Sequence, residues 1–294
     1  MSNNITGILW ALLATALFSI VAAMAKVAVE TYHVLQILFF RQIIIFLSSA
    51  PAIIKNLPGS LKTKHPKVHA LRLSGAFVAL SFGIWAIAVL PLTTAITLGF
   101  AQTFFVALIA FHFLGERVGV HRLIAITIGF VGVVVVMQPG VHGLFDTHTL
   151  IPLAGAIGAA IAMTAVRKLS QTESTATLLA YQSIFVGLLS GIPLFWLWVT
   201  PDLWDTLFLI AMGVLAAASN WIGVKALRLG EASVIGNIKY MQLVYTALIG
   251  FIWFSEVPDS HTLIGGAIII SASLYVFHRE SLSKQSTDTS LKIR

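Results

Sequence analysis

The chain has 294 residues, of which 58% are hydrophobic and 10% charged, whereas soluble domains carry roughly 25% charged residues. So few polar side chains exclude an ordinary water-soluble fold, because they cannot cover the surface of so large an apolar core. The net charge of +7 does not indicate a nucleic-acid partner, since the basic residues lie in short segments between apolar runs and not along one basic surface. We therefore expect the lipid bilayer to be the solvent of this chain.

Ten apolar runs follow one another along the chain, each with the roughly 20 residues that a membrane-spanning helix needs. Val and Ile occur in them without strict alternation, which is typical of helices and not of strands. The predicted spans cover 5–25, 34–54, 70–90, 93–114, 121–138, 149–168, 175–198, 204–226, 233–254 and 261–278. The sequence therefore predicts an all-α integral membrane fold of ten transmembrane helices, followed by a disordered tail at 279–294.

The basic residues indicate how the chain is oriented, because cytoplasmic loops of membrane proteins are enriched in Lys and Arg. With the N-terminus in the cytoplasm, all 18 basic residues except Lys26, Arg41 and Lys239 fall on the cytoplasmic side. The opposite loops carry the acidic residues Glu30, Asp146, Asp202, Asp205, Glu256 and Asp259. The pattern predicts a multi-pass protein with both termini in the cytoplasm.

The second half of the chain repeats the first at an offset of 140 residues, the separation of Glu116 and Glu256. Other polar identities at this offset are the pairs Gln102 and Gln242, Gln42 and Gln182, and His121 and His261. Five spans per copy is an odd number, so the second copy enters the membrane in the opposite sense, as in many transporters. The pattern predicts two inverted five-helix repeats, at 5–138 and 149–278. The alternative is a duplication kept for packing alone.

The most distinctive motif is the turn Leu114-Gly115-Glu116-Arg117, within LPLTTAITLGFAQTFFVALIAFHFLGERVGVHRLIAITIGFVGVVVVMQPG at 90–140. A weaker copy surrounds Phe254-Ser255-Glu256. On these residues the chain resembles the drug/metabolite transporter superfamily, specifically proteins with two EamA-type repeats, over essentially residues 5–278.

This resemblance implies a secondary transporter of the bacterial inner membrane, in which a cavity between the halves opens to each side in turn. Relatives move amino acids, S-adenosylmethionine, riboflavin or other metabolites such as organic anions, so the family alone does not give the substrate. Many relatives carry a proline within spans 4 and 9, where this chain has Thr103 and Leu243.

Lys239 is the first candidate for a substrate contact, because it lies about two turns into span 9. A charge at that depth costs at least about 2.5 kcal/mol, so we expect it to face a cavity and not lipid. Its polar neighbours predict a site for an anionic or carboxylate-bearing substrate, formed by Lys239, Asn237, Tyr240, Gln242 and Tyr245. The alternative is a lysine whose amine reaches the cytoplasmic headgroups.

Two further basic residues lie at or near the outer ends of spans. Arg41, about two turns into span 2, has a guanidinium group that can clamp a carboxylate or phosphate with two hydrogen bonds. Arg41 could equally cap a helix carbonyl or contact an outer phospholipid headgroup. Lys26 closes span 1, and we expect a boundary ion pair with Glu30, four residues on.

Polar and amphipathic side chains in other spans complete the predicted cavity, since cavities combine aromatic walls with a few polar groups. The predicted substrate contacts among them are Trp85, Gln102, Asn220 and Trp221, and Tyr181 and Gln182 lie at similar depth. Singly, each also fits a packing or interhelical hydrogen-bonding role.

Glu116 and Glu256 end spans 4 and 9 at opposite faces of the membrane. Their symmetry predicts hydrogen bonds to the N-termini of neighbouring helices. We therefore assign them a structural and gating role, and not substrate binding.

Other functional classes have less support in the sequence. It contains no Gly-Lys-Ser/Thr phosphate loop and no HExxH spacing, so we expect no nucleotide, cofactor or metal. Span 4 offers only His112 as a catalytic group, which is weak support for an integral-membrane enzyme. An enzyme and a channel are the alternatives to a carrier. No acidic residue falls clearly within a span, so the sequence does not predict a coupling ion. The sequence also does not distinguish a monomer from a homodimer.

Overall fold

The protein is described from a computed structural model. The structure describes residues 2–55, 63, 65–114, 120–137, 147–169, 173, 175–229 and 238–275. Two predicted site residues, Glu116 and Asn237, and the predicted tail at 279–294 lie outside the described residues.

The described part of the chain is helical, and no β-strand occurs within it. The helices are α1 (Ser2–Ala28), α2 (Val34–Lys55), α3 (Pro66–Val89), α4 (Leu92–Gly99), α5 (Gln102–Leu114), α6 (Val120–Met137), α7 (Thr147–Leu169), α8 (Thr175–Gly191), α9 (Leu194–Leu197), α10 (Leu203–Leu229), α11 (Met241–Phe254) and α12 (Ser260–Tyr275).

Many of these helices have the length and composition of membrane spans. Within the described residues, six stretches are long and apolar enough to cross a bilayer, namely Ile5–Ala28, Val34–Pro51, Pro66–Val89, Leu92–Ile109, Thr147–Val166 and Leu203–Ala226. Shorter apolar helices are Leu123–Met137, Met241–Phe254 and Ser260–Tyr275. The all-helical membrane class is therefore confirmed, while the number of ten spans stays a prediction.

Most predicted spans agree with the observed helices to within about one helical turn, but spans 4, 7 and 9 are interrupted, the last of them by a turn at Lys239 and Tyr240 before α11. The predicted span at 93–114 forms α4 and α5, with a break at Phe100 and Ala101. The predicted span at 175–198 ends its regular helix at Gly191, because Pro193 cannot donate the backbone hydrogen bond that would continue α8.

The contact between α3 and α7 is the most extensive of the described helix pairs. A Cβ atom on Gly75 would lie 2.7 Å from the carbonyl oxygen of Gly158, and one on Gly158 would lie 2.8 Å from that of Gly75. Such a close backbone approach is possible because membrane helices pack through small residues. The contact fixes α3 of the first half of the chain against α7 of the second.

Candidate functional site

Two helix interruptions, 140 residues apart in the chain, meet inside the bundle. In the first, the N–H of Thr103 donates to the carbonyl of Phe100 at 3.1 Å; in the second, the N–H of Leu243 donates to the carbonyl of Tyr240 at 3.0 Å. These hydrogen bonds join residues three apart, instead of four apart as in an α-helix, which is the pattern of a 3₁₀ turn. The regular α-helix is therefore interrupted at corresponding positions of predicted spans 4 and 9.

The aromatic side chains at the two interruptions contact each other. The rings of Phe100 and Tyr240 lie 5.1 Å apart between centroids, at an interplanar angle of 31°. This separation is within the range of favourable aromatic pairs. The pair places the interrupted part of α4–α5 against the segment that leads into α11.

Lys239 precedes Tyr240 of this aromatic pair in the chain, and its side chain is exposed. Among the described residues it has no ion-pair or side-chain hydrogen-bond partner. Gln102 and Gln242 are partly buried, and their amide groups have no partner within the described part of the chain either. The structure thus places an accessible cation and two free amides close in sequence to the two interruptions.

The other predicted contacts are distributed over the bundle. Tyr245 lies on α11, one turn beyond Met241, and is partly buried. Asn220 and Trp221 are exposed on α10. Trp85 is 45% exposed and packs edge-on against Phe82 at 5.5 Å. No described ring or polar contact joins these four residues to Lys239 or to the aromatic pair, so their roles stay predictions.

Arg41 is partly buried on α2, and its Nε atom is buried without a hydrogen-bond partner among the described residues. Neither a capped carbonyl nor a carboxylate partner for this guanidinium occurs within the described part of the chain. The structure therefore leaves Arg41 with an unmatched charge and does not connect it to the interruptions.

An ion pair joins the two halves of the chain at the end of α3. Lys26 pairs with Glu256, 230 residues away in the chain, and its amine also donates to the carbonyl of Leu90 at 3.1 Å. The expected pair with Glu30 is therefore wrong. The reason is that α1 ends at Ala28. Glu30 lies beyond the helix, so a separation of four residues no longer places its side chain beside Lys26.

Glu256 also caps a helix. The backbone N–H of Leu92, the first residue of α4, donates to its carboxylate at 2.8 Å, where the helix dipole favours a negative charge. Ser255 adopts a left-handed conformation with φ 55°, and the N–H of Glu256 bonds to the carbonyl of Gly250 at 2.9 Å. This turn ends α11 and directs the Glu256 carboxylate towards α4.

Two further contacts join the halves at this end of the bundle. Tyr32 donates a hydrogen bond to Asp205, and this bond, together with burial, raises the pKa of Tyr32 to about 12. Gln36, fully buried, donates to the carbonyl of Val199 at 2.6 Å and accepts from its N–H at 3.0 Å. We name Lys26, Glu256, Tyr32, Asp205 and Gln36 the first end cluster.

A second cluster joins the halves at the opposite end of α3. His69, in the first turn of α3, pairs with Glu173, and both side chains are 3% exposed. Thr63 donates to the same carboxylate. Arg72, one turn further along α3, donates to the carbonyl of Leu178 at 3.0 Å and to the side-chain oxygen of Gln182 at 2.9 Å. His69, Glu173, Thr63, Arg72 and Gln182 form what we name the second end cluster.

The pKa of Glu173 lies below its ordinary value. Burial raises this pKa, but the hydrogen bonds from Thr63 and His69 and the positive charges of His69 and His65 outweigh burial and lower it. Glu173 is therefore ionised under neutral and mildly acidic conditions.

Sequence patterns predict little of the second end cluster. The distribution of basic residues predicts Arg72 only as a cytoplasmic charge, whereas it is 3% exposed inside the bundle. The available signal was its spacing of three residues from His69, which places both side chains on one face of a helix. Their partners lie more than 100 residues away in the chain, since His69 and Glu173 are separated by 104 positions.

A metal centre has no support in the described residues, which contain no group of three or more His, Cys, Asp or Glu side chains placed to hold an ion.

Many membrane transporters have apolar membrane-spanning helices that are interrupted near polar groups at the binding site. Comparison with known proteins identifies the family. The model of the EamA-like transporter family matches residues 5–138 and again residues 148–278. The chain belongs to this family, and it is a multi-pass membrane protein that transports a small molecule.

Relatives of known function resemble the chain over almost its whole length. An S-adenosylmethionine uptake transporter of Rickettsia prowazekii is 28% identical, and the alignment covers 97% of each chain. The pseudopaline exporter CntI of Pseudomonas aeruginosa is 30% identical over 92% of this chain and 95% of its own. A riboflavin transporter of Vibrio cholerae is 27% identical over 95% of both.

A solved crystal structure has the same fold. It superposes with a TM-score of 0.61 at 18% identity, over 92% of this chain and 96% of that one.

Proposed function

We propose that this protein is a secondary transporter of the bacterial inner membrane that carries an anion-bearing metabolite by alternating access, with its substrate bound beside Lys239. The observation that carries this proposal is the meeting of two interrupted spans at Phe100 and Tyr240, next to an accessible cation that has no partner among the described residues. Interrupted helices are where transporters bind their substrates, because backbone and side-chain polar groups become available there.

The proposed architecture has ten spans in two inverted repeats, with both termini in the cytoplasm. Its support is contact between corresponding parts of the two copies. Phe100 and Tyr240, 140 residues apart, contact each other, and α6 and α12, the last helices of the two copies, also contact each other. A Cβ atom on Gly132 of α6 would lie 2.9 Å from the carbonyl oxygen of Gly265 of α12. Contacts between corresponding elements are expected at a pseudo-two-fold axis.

The chemistry beside Lys239 favours a substrate with a carboxylate and a planar ring. An ammonium group and free amides recognise a carboxylate, and the aromatic pair offers a stacking surface for a ring. S-adenosylmethionine has both groups, and it is the substrate named for four relatives from Rickettsia. Riboflavin has the ring without a carboxylate. We therefore propose S-adenosylmethionine as the first substrate to test.

The first end cluster is proposed to close the cavity on the outer side and the second to close it on the cytoplasmic side. The two clusters lie at opposite ends of α3, whose 24 residues span about 36 Å at 1.5 Å per residue. Each cluster joins the first half of the chain to the second. Opening the cavity to one side then requires the contacts of one cluster to separate while the other holds.

An enzyme and a channel remain the competing functions, and each makes a different prediction. An enzyme converts the bound molecule, whereas a channel passes it without saturation.

Arg41, Trp85, Asn220 and Trp221 remain proposed cavity residues, and the protein is proposed to act as a monomer or homodimer.

Purified protein should be stabilised against heat by its substrate. We expect S-adenosylmethionine to raise the unfolding temperature, because a ligand at 100 times its Kd adds about 2.7 kcal/mol to the stability of the native state. Riboflavin, amino acids and organic anions serve as the comparison panel. S-adenosylhomocysteine, which keeps the carboxylate and adenine but lacks the sulfonium charge, is the matched ligand. Stabilisation by riboflavin alone, without effect of either carboxylate-bearing ligand, would contradict the proposed role of Lys239.

A further inference from the structure

Helix α8 is shorter than the bilayer that it is predicted to cross. Its 17 residues extend about 25 Å at 1.5 Å per residue, whereas the hydrocarbon core of a bilayer is about 30 Å thick. Pro193 cannot continue the helix, and the chain then forms the four-residue helix α9 before α10 begins at Leu203. We name residues 192–204, which include the first two residues of α10, the connecting segment, and we expect it to lie close to the boundary between hydrocarbon and headgroups.

The connecting segment exposes large aromatic side chains. Phe195 is 86% exposed, Trp196 82% and Trp204 77%, and Leu194 is the one buried side chain of α9. A large exposed apolar patch marks a surface that binds another protein or a membrane. A tryptophan ring is favourable at a membrane surface, because its apolar body contacts lipid while its N–H reaches water. The aromatic side chains therefore favour a lipid surface as the partner of this segment.

The charge of the segment indicates which kind of lipid surface it fits. No Lys or Arg occurs between Lys168 and Lys225, and the one charged residue of the segment is Asp202, which is exposed. Attraction to anionic lipids requires basic residues near the membrane surface. The segment therefore fits a zwitterionic phospholipid, whose headgroups do not repel a single acidic side chain as anionic headgroups would.

The segment is also fixed to α2, in the other half of the chain. The side chain of Gln36 makes two hydrogen bonds to the backbone of Val199. The ring of Phe40 stacks on that of Trp198, with the centroids 5.9 Å apart and an interplanar angle of 21°. Gln36 is a member of the first end cluster, so the segment lies at that end of the bundle. A segment held by lipid on one side and by α2 on the other fixes the depth of this end of α2 in the membrane.

We propose that the connecting segment is a membrane-surface anchor, which lies along the boundary between the headgroups and acyl chains of a zwitterionic phospholipid layer. Phe195, Trp196 and Trp204 insert into the layer, as the apolar faces of interfacial segments do to a depth of about 5–10 Å. The anchor completes the crossing that α8 is too short to make alone. This inference goes beyond the proposed transport function and involves no substrate.

The depth of the segment can be measured with a spin label, because the chain has no cysteine to give background labelling. The label is attached at Phe195→Cys or, as the deep reference, at Leu188→Cys, an exposed position on α8. The protein is placed in nanodiscs of zwitterionic phospholipid. Collisions with oxygen, which concentrates in lipid, and with a water-soluble nickel chelate then give the depth. We expect the label at residue 195 to lie about 5–10 Å below the phosphates and the label at residue 188 to lie deeper.

A pair of substitutions tests whether the tryptophans hold the segment in the layer. With Trp196→Ser and Trp204→Ser combined, the label at residue 195 should move towards water by at least about 5 Å, the smallest burial expected for such a segment. Trp253→Ser is the matched control, since Trp253 is 59% exposed near the end of α11 and lies outside the segment. It should leave the depth of the label unchanged, and addition of anionic lipid should leave it unchanged as well.

Three outcomes would overturn the anchor. The first is a label at residue 195 at or above the level of the phosphates in the protein with both tryptophans intact. The second is a label shielded from oxygen and from the nickel chelate and coupled to a label on another molecule, because a second copy of the chain would then cover the segment. The third is insertion that requires anionic lipid or persists without the two tryptophans. Because no substrate is added, failure of the proposed transport activity would leave each of these results unchanged.

Discussion

Replacing Lys239 by alanine is expected to weaken substrate binding by about 10- to 100-fold, because a hydrogen bond to a charged group contributes roughly 1.5–3 kcal/mol. The side chain is accessible and has no partner within the described residues, so its loss removes a contact with substrate and leaves no protein group unpaired. The measurement is the substrate concentration that gives half of the maximal thermal stabilisation by S-adenosylmethionine.

A second lysine provides the control for this experiment. Lys225 is also exposed, but it lies near the end of α10, with its amine 4.0 Å from the centroid of the Trp10 ring. Lys225→Ala should leave the half-maximal concentration unchanged, and Lys239→Arg should retain part of the affinity because it keeps the charge. Equal affinities for the unmodified protein and Lys239→Ala would exclude the site beside the interruptions.

Glu256→Ala is expected to give the largest loss of stability among single substitutions in the first end cluster. It removes the partner of Lys26 and the acceptor of the Leu92 N–H in one step. Breaking a fully buried ion pair costs roughly 3–5 kcal/mol. Here the side chains are 16% and 20% exposed, so we expect a loss of about 2 kcal/mol, with solvent screening part of the remaining charge.

The readout is the thermal unfolding midpoint in detergent, which should fall by roughly 4–8 °C. Glu30→Ala is the matched control, because Glu30 is the acid nearest to Lys26 in the sequence but is exposed. Its effect should stay within about 0.5 kcal/mol. A Glu30 effect as large as that of Glu256 would show that the Lys26 ion pair is not the main source of stability at this end.

Apolar patterning predicts the class of the fold and most helix bounds, because lipid requires about 20 apolar residues for each span. It predicts the interruption of span 4 poorly. Gly99 and Gln102 flank that interruption without a proline, and the Phe100 ring within it contacts Tyr240 in the other half of the chain. A contact between distant segments leaves no periodic signal in either one.

The contact partners of the polar residues are hard to predict for the same reason. The repeat predicts that Gln42 and Gln182 are corresponding residues, but their surroundings differ. Gln182 accepts a hydrogen bond from Arg72, whereas the position corresponding to Arg72 in the second copy is Met212. Gln42 is 1% exposed, and its amide has no partner among the described residues. Identity between copies therefore predicts corresponding positions and not corresponding partners.

Alternating access is tested most directly by exchange across a membrane. Purified protein in liposomes should take up labelled S-adenosylmethionine at a rate that saturates with concentration, and unlabelled S-adenosylmethionine inside the vesicles should increase that rate. Such acceleration occurs because a carrier returns faster with substrate bound. An uptake rate that rises linearly with concentration and does not respond to internal S-adenosylmethionine would indicate a continuous pore and contradict the mechanism.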